Sequence, residues 1–308
     1  MTYAEINATP VLLNVGVAHH RGDWNFRDVS SPFTRIHYVR SGNARIERSG
    51  EVLALKPGCL YLTPPYTRHS YVNEGPLDLV YVHIYFQNAG AASLFDLVEL
   101  PAEVPADRAT QAVLGRLLAL HPDRALLDFD PRRYDTGPGL ARILAGGASD
   151  DLSVAMETEG LLRLLLARFL AGASPREGCR DERVFAAVRH IETHLGESIR
   201  LDDLASAAAV SKDHFIRLFS RELGITPGQY VNRKKIEAAQ LRLLLHPGES
   251  VKSIAYSLGF DNLPYFNRLF LKLTGESPGR YRESRRAAGR GWSPGRPGRG
   301  RRTRCRGR

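Results

Sequence analysis

One helical pattern occurs twice near the carboxyl end of the chain, and this repeat constrains the fold more than any other feature. The first copy reads Leu201-x-x-Leu204-Ala205, Phe215-x-Arg217-Leu218-Phe219 and Gly224-x-x-Pro227. The second copy reads Val251-x-x-Ile254-Ala255, Phe266-x-Arg268-Leu269-Phe270 and Gly275-x-x-Pro278. Each copy predicts a short helix, a tight turn and a second helix with an apolar inner face, which is the outline of a helix-turn-helix unit.

In the first copy, a short helix over Leu201 to Ala208 is followed by a turn, and Ser211 is placed to cap the next helix. Phe215, Leu218 and Phe219 recur at helical spacing and predict its buried stripe. The residues predicted to face outward, toward DNA, are Lys212, Asp213, Ile216, Arg217 and Arg221.

In the second copy, Gly259 supplies a turn that needs a positive φ, Asp261 is the predicted cap, and Pro264 falls in a first turn that tolerates proline. The outward residues of this copy are Asn262, Leu263, Asn267 and Arg268. Arginine fits the N7 and O6 acceptors of guanine, and asparagine fits adenine. Arg217 and Arg268 hold equivalent places, so both are candidates for reading bases. The alternative is that they bind phosphates or carboxylates of the protein itself.

A long helix is predicted between the two copies. Thr226-Pro227-Gly228-Gln229 combines a cap, a proline at the first helical position and a capping-box partner, and no breaker follows until His246-Pro247-Gly248. About twenty residues span roughly 30 Å, close to one turn of B-DNA. Two reading helices could therefore enter successive major grooves. The predicted phosphate contacts are Ser211, Arg233, Lys234 and Lys235, although a charge run on a helix can also be a solvated face.

With these motifs, residues 184 to 284 resemble the AraC/XylS-type bacterial transcription regulators, including Leu258-Gly259-Phe260 and the run from Tyr265 to Phe270. The resemblance implies an all-α, homeodomain-like double helix-turn-helix domain that binds promoter DNA and works with RNA polymerase. Two positions depart from the family pattern. Ala209 replaces the usual turn glycine, and Arg200 stands where a capping Ser or Thr is expected.

The amino-terminal part reads as short β-strands separated by glycine and proline turns, which predicts a small antiparallel barrel. The predicted strands are Thr34–Arg40, Ala44–Arg48, Val52–Lys56, Leu60–Thr63, His69–Val72 and Leu77–Phe86. The segment from Pro57 to His69 also resembles, more loosely, the cupin-type effector barrel of the sugar-responsive members of the family. The fold class is therefore α+β with two domains.

A barrel of this size can hold one small ligand. The resemblance carries the family's effector-binding positions onto Arg40, Tyr71, Tyr81 and His83, with His69 adjacent. These side chains suit a polyhydroxylated ligand, a sugar or glycoside, because they combine flat apolar faces with hydrogen-bonding groups. Trp24 and Phe26 could close the pocket. The alternative is that these residues are ordinary barrel side chains.

Cupin barrels are often metalloenzymes, so catalysis needs a separate test. His37, His69 and His83 could converge, but no His-x-His pair with a following Glu occurs where a metal cupin would have one. No nucleophile elbow or phosphate loop is present either. We therefore expect no catalytic residues, no metal and no cofactor.

The stretch from Ala109 to Ala171 is predicted to be helical, and Leu161 to Leu170 is too apolar for a helix with one buried face only. The resemblance implies that part of it packs against the barrel and part against a second subunit, as in dimerising members of the family, which predicts a homodimer. Packing entirely within one chain is the alternative, and Asp128 to Gly139 reads as a loop. The predicted domains are 1–172 for effector binding and dimerisation, 173–182 as linker, 183–284 for DNA binding, and 285–308 as a disordered tail.

The formal charge of +10 is a poor argument for DNA binding, because the tail alone contributes ten arginines and no acid. The rest of the chain is neutral, so affinity must depend on how charge is arranged. The tail either adds salt-sensitive affinity for DNA or reflects a shifted reading frame. Cys59, Cys179 and Cys305 show no paired spacing, and no signal or membrane-length segment is evident, which predicts a cytoplasmic protein.

These observations favour a ligand-responsive, sequence-specific DNA-binding regulator, more typically an activator. Two other classes stay open at this point. The first is a cupin enzyme tethered to DNA, and the second is an architectural DNA binder that has no effector.

Overall fold

The computed structural model describes residues 8–48, 50–88, 93–134, 151–175 and 181–289. An antiparallel β domain with flanking helices is followed by an all-helical domain, which confirms the predicted fold class. The predicted disordered tail begins at residue 285, but residues 285–289 are the end of a helix; residues 290–308, Cys179 and Cys305 lie outside the described residues.

The β domain contains more strands than the sequence predicts. All six predicted strands are present with small shifts of their ends, and the sequence analysis missed five others, β1, β2 and the short β9, β10 and β11. The strands are β1 (Ala8–Arg21), β2 (Phe26–Val29), β3 (Thr34–Gly42), β4 (Ala44–Arg48), β5 (Glu51–Leu55), β6 (Cys59–Thr63), β7 (His69–Val72), β8 (Pro76–Asn88), β9 (Val98–Glu99), β10 (Glu103–Pro105) and β11 (Ser174–Pro175).

Nine of these strands form two facing sheets, and β9 and β11 form a separate two-stranded pair. One has the order β1-β8-β3-β6-β10 and the other β2-β7-β4-β5, and all of their pairings are antiparallel. The first sheet is buried on both faces. Val39 and Tyr81 face the interior between the sheets, whereas Ile36, Val80 and Val82 pack outward against helices.

The helices of this domain are α1 (Leu94–Leu97), α2 (Arg108–Leu120), α3 (Pro131–Tyr134) and α4 (Leu152–Leu170). Helices α2 and α4 cover the outer face of the first sheet, and Leu162, Leu165 and Phe169 are buried there. Much of the predicted helical stretch is thus confirmed. The predicted loop over Asp128 to Gly139 is helical at Pro131–Tyr134, and residues 135–139 lie outside the described part of the chain.

The carboxyl-terminal domain consists of seven helices within the described residues 181–289. They are α5 (Glu182–Thr193), α6 (Leu201–Ala207), α7 (Lys212–Leu223), α8 (Pro227–Leu245), α9 (Val251–Ser257), α10 (Leu263–Thr274) and α11 (Pro278–Gly289). Helices α6 and α7 form the first helix-turn-helix unit, and α9 and α10 form the second, as predicted. The long helix α8 joins the two units.

The two domains share hydrophobic cores. Leu94, Leu97 and Val98 of the β domain lie in the core of the first helix-turn-helix unit. Leu13 and Phe33 lie in the core of the second unit. Strand β11, which falls within the predicted linker, pairs with β9 of the β domain. The β domain therefore contacts both DNA-binding units.

No helix in the described ranges is long and apolar enough to span a bilayer.

Candidate functional site

The first recognition helix, α7, begins as the sequence predicts. The Ser211 hydroxyl accepts a hydrogen bond from the backbone N–H of His214, which satisfies one of the free donors of the first turn. The preceding turn places Ala209 at φ 53°, in the left-handed region that glycine occupies without strain. Phe215 and Phe219 are fully buried, and these two anchors fix which face of α7 is presented to solvent.

The outward face of α7 carries the predicted DNA-binding residues. Four of them are exposed and Ile216 is half-buried; the exposed ones are Lys212, Asp213, Arg217 and Arg221. The Lys212 ammonium lies 3.1 Å from Asp202, and the Arg221 guanidinium lies 3.0 Å from the buried Glu222. Arg217 forms no ion pair with any residue that the structure describes. It is thus the cation of this helix most readily available to an external acceptor.

The second recognition helix, α10, shows one difference from the prediction. The side chain of Asn262, not Asp261, caps it by accepting from the Tyr265 N–H at 2.8 Å. Pro264 lies in the first turn, and Gly259 has φ 66°, both as predicted. Asn262 therefore holds the start of the helix through its side-chain oxygen, and its contact with DNA stays a prediction.

Further along α10 the prediction agrees with the exposed surface. Asn267 and Arg268 are exposed, Leu263 is half-buried, and Phe266 and Phe270 are fully buried on the opposite side. Arg268 occupies the place on α10 that Arg217 occupies on α7. The two units therefore present matched guanidinium groups from similarly capped helices.

Helix α8 starts with the predicted capping box, in which the Thr226 side chain and the Gln229 side chain each satisfy the other's backbone N–H. The structure buries Lys234 and Lys235 of this helix, which contradicts their predicted role as phosphate contacts. Lys234 and Lys235 are 7% and 4% exposed, and Lys235 donates to the Glu197 and Gly259 carbonyls. Arg233 pairs with Asp96 at 2.7 Å.

Lys234 lies at the centre of a buried ion cluster that joins the domains. Its ammonium is 3.1 Å from Asp96, 2.9 Å from Glu192 and 3.1 Å from Glu237. Burial opposes ionisation of Asp96, but the charges of Lys234 and Arg233 outweigh it and lower the pKa of this carboxyl. Burial raises the pKa of Glu192 and of Glu237. Three acids and two bases thus share one desolvated site.

Four of the five predicted effector-binding residues lie inside the barrel. His69, Tyr71, Tyr81 and His83 are at most 3% exposed. Arg40 is exposed at an irregularity in the β3 and β8 pairing, between Val39 and Ser41, so its predicted place in the pocket is wrong. The buried arginine is Arg35, which is 1% exposed and pairs across the sheet with His83.

Aromatic and imidazole rings fill the barrel. Trp24 stacks on Tyr71 with centroids 4.0 Å apart and also contacts His20 and His37. Its predicted closing position is thus consistent with the packing, while Phe26 is half-buried at the edge. Sequence reasoning missed Arg35 and His20 as members of this site.

The barrel histidines are held neutral. Burial first, and then the nearby Arg35 charge, lower the pKa of His37 and of His69 to about 3, and the pKa of His83 falls well below its usual range. One buried nitrogen on each has no hydrogen-bond partner: His37 Nδ1, His69 Nε2 and His83 Nδ1. Such nitrogens suit hydroxyl or N–H groups of a ligand. No metal-binding group of three His, Cys, Asp or Glu occurs among the described side chains.

The barrel interior is nearly full. It retains a space of about 10 Å³, whereas an open depression of about 380 Å³ lies on the outer surface of the first unit, between α5 and α6. Binding sites for small molecules are usually about 300 to 1,000 Å³. Despite its size, the outer depression lacks the converging buried polar groups of the barrel. The barrel interior is therefore the candidate effector site, and it is closed in this conformation.

The fold and these two sites define a two-domain protein that combines a small-molecule barrel with a paired helix-turn-helix unit. Residues 14–166 match the family model "AraC-like ligand binding domain", and residues 204–284 match "Helix-turn-helix domain". The chain belongs to the AraC-type family of transcriptional regulators.

Curated relatives are similar over part of the chain. The regulatory protein PocR of Salmonella typhimurium is 36% identical over 33% of this chain and 34% of its own length. The transcriptional activator RhaS of Escherichia fergusonii is 33% identical over 48% of this chain and 54% of its own length. The matches thus span between a third and about half of these relatives. A crystal structure of wild-type ToxT from Vibrio cholerae with a bound unsaturated fatty acid covers 90% of this chain and 96% of its own, at 15% identity and a TM-score of 0.48.

Proposed function

We propose that this protein is a ligand-responsive regulator that binds promoter DNA through α7 and α10. One observation carries the proposal: two capped helices present Arg217 and Arg268 at equivalent exposed positions, and the 19-residue helix α8 connects their units. At 1.5 Å per residue α8 is about 28 Å long, near the roughly 34 Å of one DNA turn. Two adjacent major grooves on one face are the matching target. Because that target is bacterial promoter DNA, the protein would act in the cytoplasm.

The effector is a small polyhydroxylated molecule, a sugar or glycoside, bound inside the barrel. The converging tyrosines and neutral histidines, with their unpartnered nitrogens, support this assignment. A ligand changes DNA binding only if it favours one arrangement of barrel and helical units over another, and such coupling is typically about 1 to 3 kcal/mol. The two hydrophobic cores that contain residues of both domains provide a physical connection for this coupling.

We further propose activation through RNA polymerase and a homodimer. Helix α4 supports the dimer, because it buries one face against the barrel and exposes four apolar side chains on the other. These are Leu152, Met156, Leu164 and Leu170, with exposed fractions of 73%, 68%, 55% and 38%. An apolar stripe of this kind is typical of a helix that packs on a second subunit.

The test is selection of random duplex DNA with the full chain at near-physiological salt, with and without a panel of sugars. The expected result is enrichment of two short motifs about one helical turn apart, with half-site preference or affinity that changes with one sugar. The double variant Arg217→Ala and Arg268→Ala is the matched control and should lose the enrichment. If no sequence is enriched, the alternative of an architectural DNA binder would be favoured. Bound metal in the purified protein, together with turnover of a substrate, would favour an enzyme.

A further inference from the structure

Residues 126–134, which we call the plug, fill the space that an effector would need. Leu126, Phe129 and Tyr134 line the remaining 10 Å³ together with the barrel residues His20, Tyr81 and His83. The plug comes from the connection between α2 and α4 and is not part of either sheet. Its rings therefore enter the barrel from outside, as a ligand would.

The plug rings contact the side chains that are best suited to hold a ligand. Tyr134 stacks on His83, with centroids 5.3 Å apart, and its ring lies 5.4 Å from the guanidinium carbon of Arg35. Phe129 packs edge-on against His20 at 5.0 Å and against Tyr81 at 5.9 Å. The plug leaves two polar atoms of the pocket unsatisfied, because His20 Nε2 and His83 Nδ1 are buried without a hydrogen bond.

The backbone of the plug is tied to the pocket at Leu126, whose N–H donates to the Tyr81 hydroxyl at 2.6 Å. Phe129 and Leu126 are only half-buried, in contrast to the barrel walls. A ring ligand with hydroxyl groups would reproduce the stacking that the plug provides and would also satisfy the histidine nitrogens. Exchange of plug for ligand would therefore keep ring contacts inside the pocket and give hydrogen-bond partners to nitrogens that the plug leaves without one.

The plug also contacts the second DNA-binding unit. Tyr134 packs against the core that contains Phe270 and Tyr281, and α3 lies against α11. Phe33, which belongs to the same core, contacts both His83 and Arg35. The ring of His83 is thus in contact with two residues that reach the second unit.

We propose that the plug is a built-in occupant of the effector site, and that a small hydroxylated ring compound displaces Phe129 and Tyr134 and so releases α11 of the second unit. This inference rests on the proposed function, since it assigns the regulation of the same site. Tyr134 contacts both the barrel and the second unit, so its displacement would alter the second unit. Phe129 fills the barrel without that second contact among the described residues.

The test compares Phe129→Ala, Tyr134→Ala and the control Leu127→Ala in the full chain. Leu127 is 86% exposed within the plug, so its replacement changes the segment but not the cavity. Trp24 lies in the barrel wall, and the chain has two tryptophans, so all variants carry Trp292→Phe to isolate its fluorescence. The probe is phenol, which is a flat ring with one hydroxyl like the tyrosine that it would replace. Tyr134→Leu supplies the test should Tyr134→Ala fail to fold.

In Phe129→Ala and Tyr134→Ala we expect a severalfold rise in acrylamide quenching of Trp24 and saturable phenol binding that the Leu127→Ala protein lacks. We also expect Tyr134→Ala alone to change the affinity for the selected DNA severalfold in the absence of effector. Quenching and phenol binding equal to those of the control would overturn the proposal that the plug occupies the effector site. DNA affinity unchanged by Tyr134→Ala, with sequence-specific binding intact, would overturn the coupling while leaving the proposed function standing. Absence of sequence-specific binding by the wild-type chain would instead remove the proposed function.

Discussion

The ammonium nitrogen of Lys234 lies 3.1 Å from a carboxylate oxygen of Asp96, and the two residues belong to different domains. Asp96 is on the short helix α1 of the β domain, and Lys234 is on α8 between the two DNA-binding units. The Tyr230 hydroxyl donates to the same carboxylate at 3.0 Å. The carboxylate of Asp96, which belongs to the β domain, is therefore bound by two side chains of α8, the helix that connects the two DNA-binding units.

Replacement of Asp96 by Asn should loosen the two domains from each other. The variant leaves Lys234 paired with Glu192 and Glu237, so we expect a loss of about 1 to 3 kcal/mol, less than for a fully orphaned buried charge. Calorimetry should show unfolding at a lower temperature than in the wild-type protein. The exposed Asp123→Asn is the control and should unfold as the wild type does. One unaltered transition for Asp96→Asn would contradict a stabilising role of this pair.

The β domain should become less stable as the pH falls below about 6.5, the ordinary histidine pKa. The folded-state pKa of His37 and of His69 is about 3, so these groups stay neutral while the unfolded chain takes up protons. Stability is thus fully present above pH 6.5 and is lost toward pH 3, by roughly 1.4 kcal/mol per pH unit for each such histidine. Urea unfolding at several pH values measures this slope. His37→Gln should reduce this slope by the share of one proton, because one buried neutral histidine is removed.

Arg268→Ala should weaken binding of the selected DNA by about 1 to 3 kcal/mol and relax the preference at one base position, if the guanidinium reads a base. Affinity measured against a set of single-base variants of the selected site gives the answer. Lys252→Ala, which removes an exposed cation from the preceding helix α9, is the control against which the loss of affinity and of base preference is compared. A uniform loss across all sequences, with a smaller salt dependence, would show that Arg268 contacts phosphate.

Ala209→Gly should stabilise the protein by about 0.4 to 1 kcal/mol, because it relieves the strain of a left-handed alanine. Thermal unfolding of the full chain provides the measurement. Ala207→Gly, two residues earlier within α6, is the matched control and should destabilise by up to about 1 kcal/mol. Destabilisation by both substitutions would be inconsistent with the φ of 53° at position 209.

The two candidate caps of α10 can be separated by substitution. Asn262→Ala should cost about 1 kcal/mol, since it removes the acceptor for the Tyr265 N–H. Asp261→Ala is the control, and it should be close to neutral because its side chain does not cap the helix. Equal effects in chemical denaturation would argue against the observed cap.

The DNA-binding units were predictable because their local signals agree. Caps, turn residues and a three-to-four-residue apolar spacing all indicate the same helices, and the positions of Arg217 and Arg268 follow from that spacing. The cap of α10 was misplaced by one residue because Asp261 and Asn262 are adjacent and both residue types are good caps.

The barrel interior was harder to predict, because β3 is buried on both faces. Residues Thr34 to His37 are all buried, so the alternation that would separate interior from exterior positions is missing. Arg40 is exposed at the irregularity after Val39, whereas Arg35 is the buried arginine of this strand. The prediction of phosphate contacts for Lys234 and Lys235 on α8 failed for a related reason. That helix is packed on several sides by other parts of the protein, and this depends on contacts with Asp96, Glu192 and Glu197 that are distant in sequence.

Helix α8 therefore has two roles that are usually separate in a DNA-binding protein. Its length determines how far apart the two recognition helices stand, and its buried cations attach it to the effector domain. A signal that arrives through Asp96 would act on the spacer itself and not on either recognition helix. Regulation by this route would change which distances between half-sites are tolerated while leaving the bases recognised within each half-site the same.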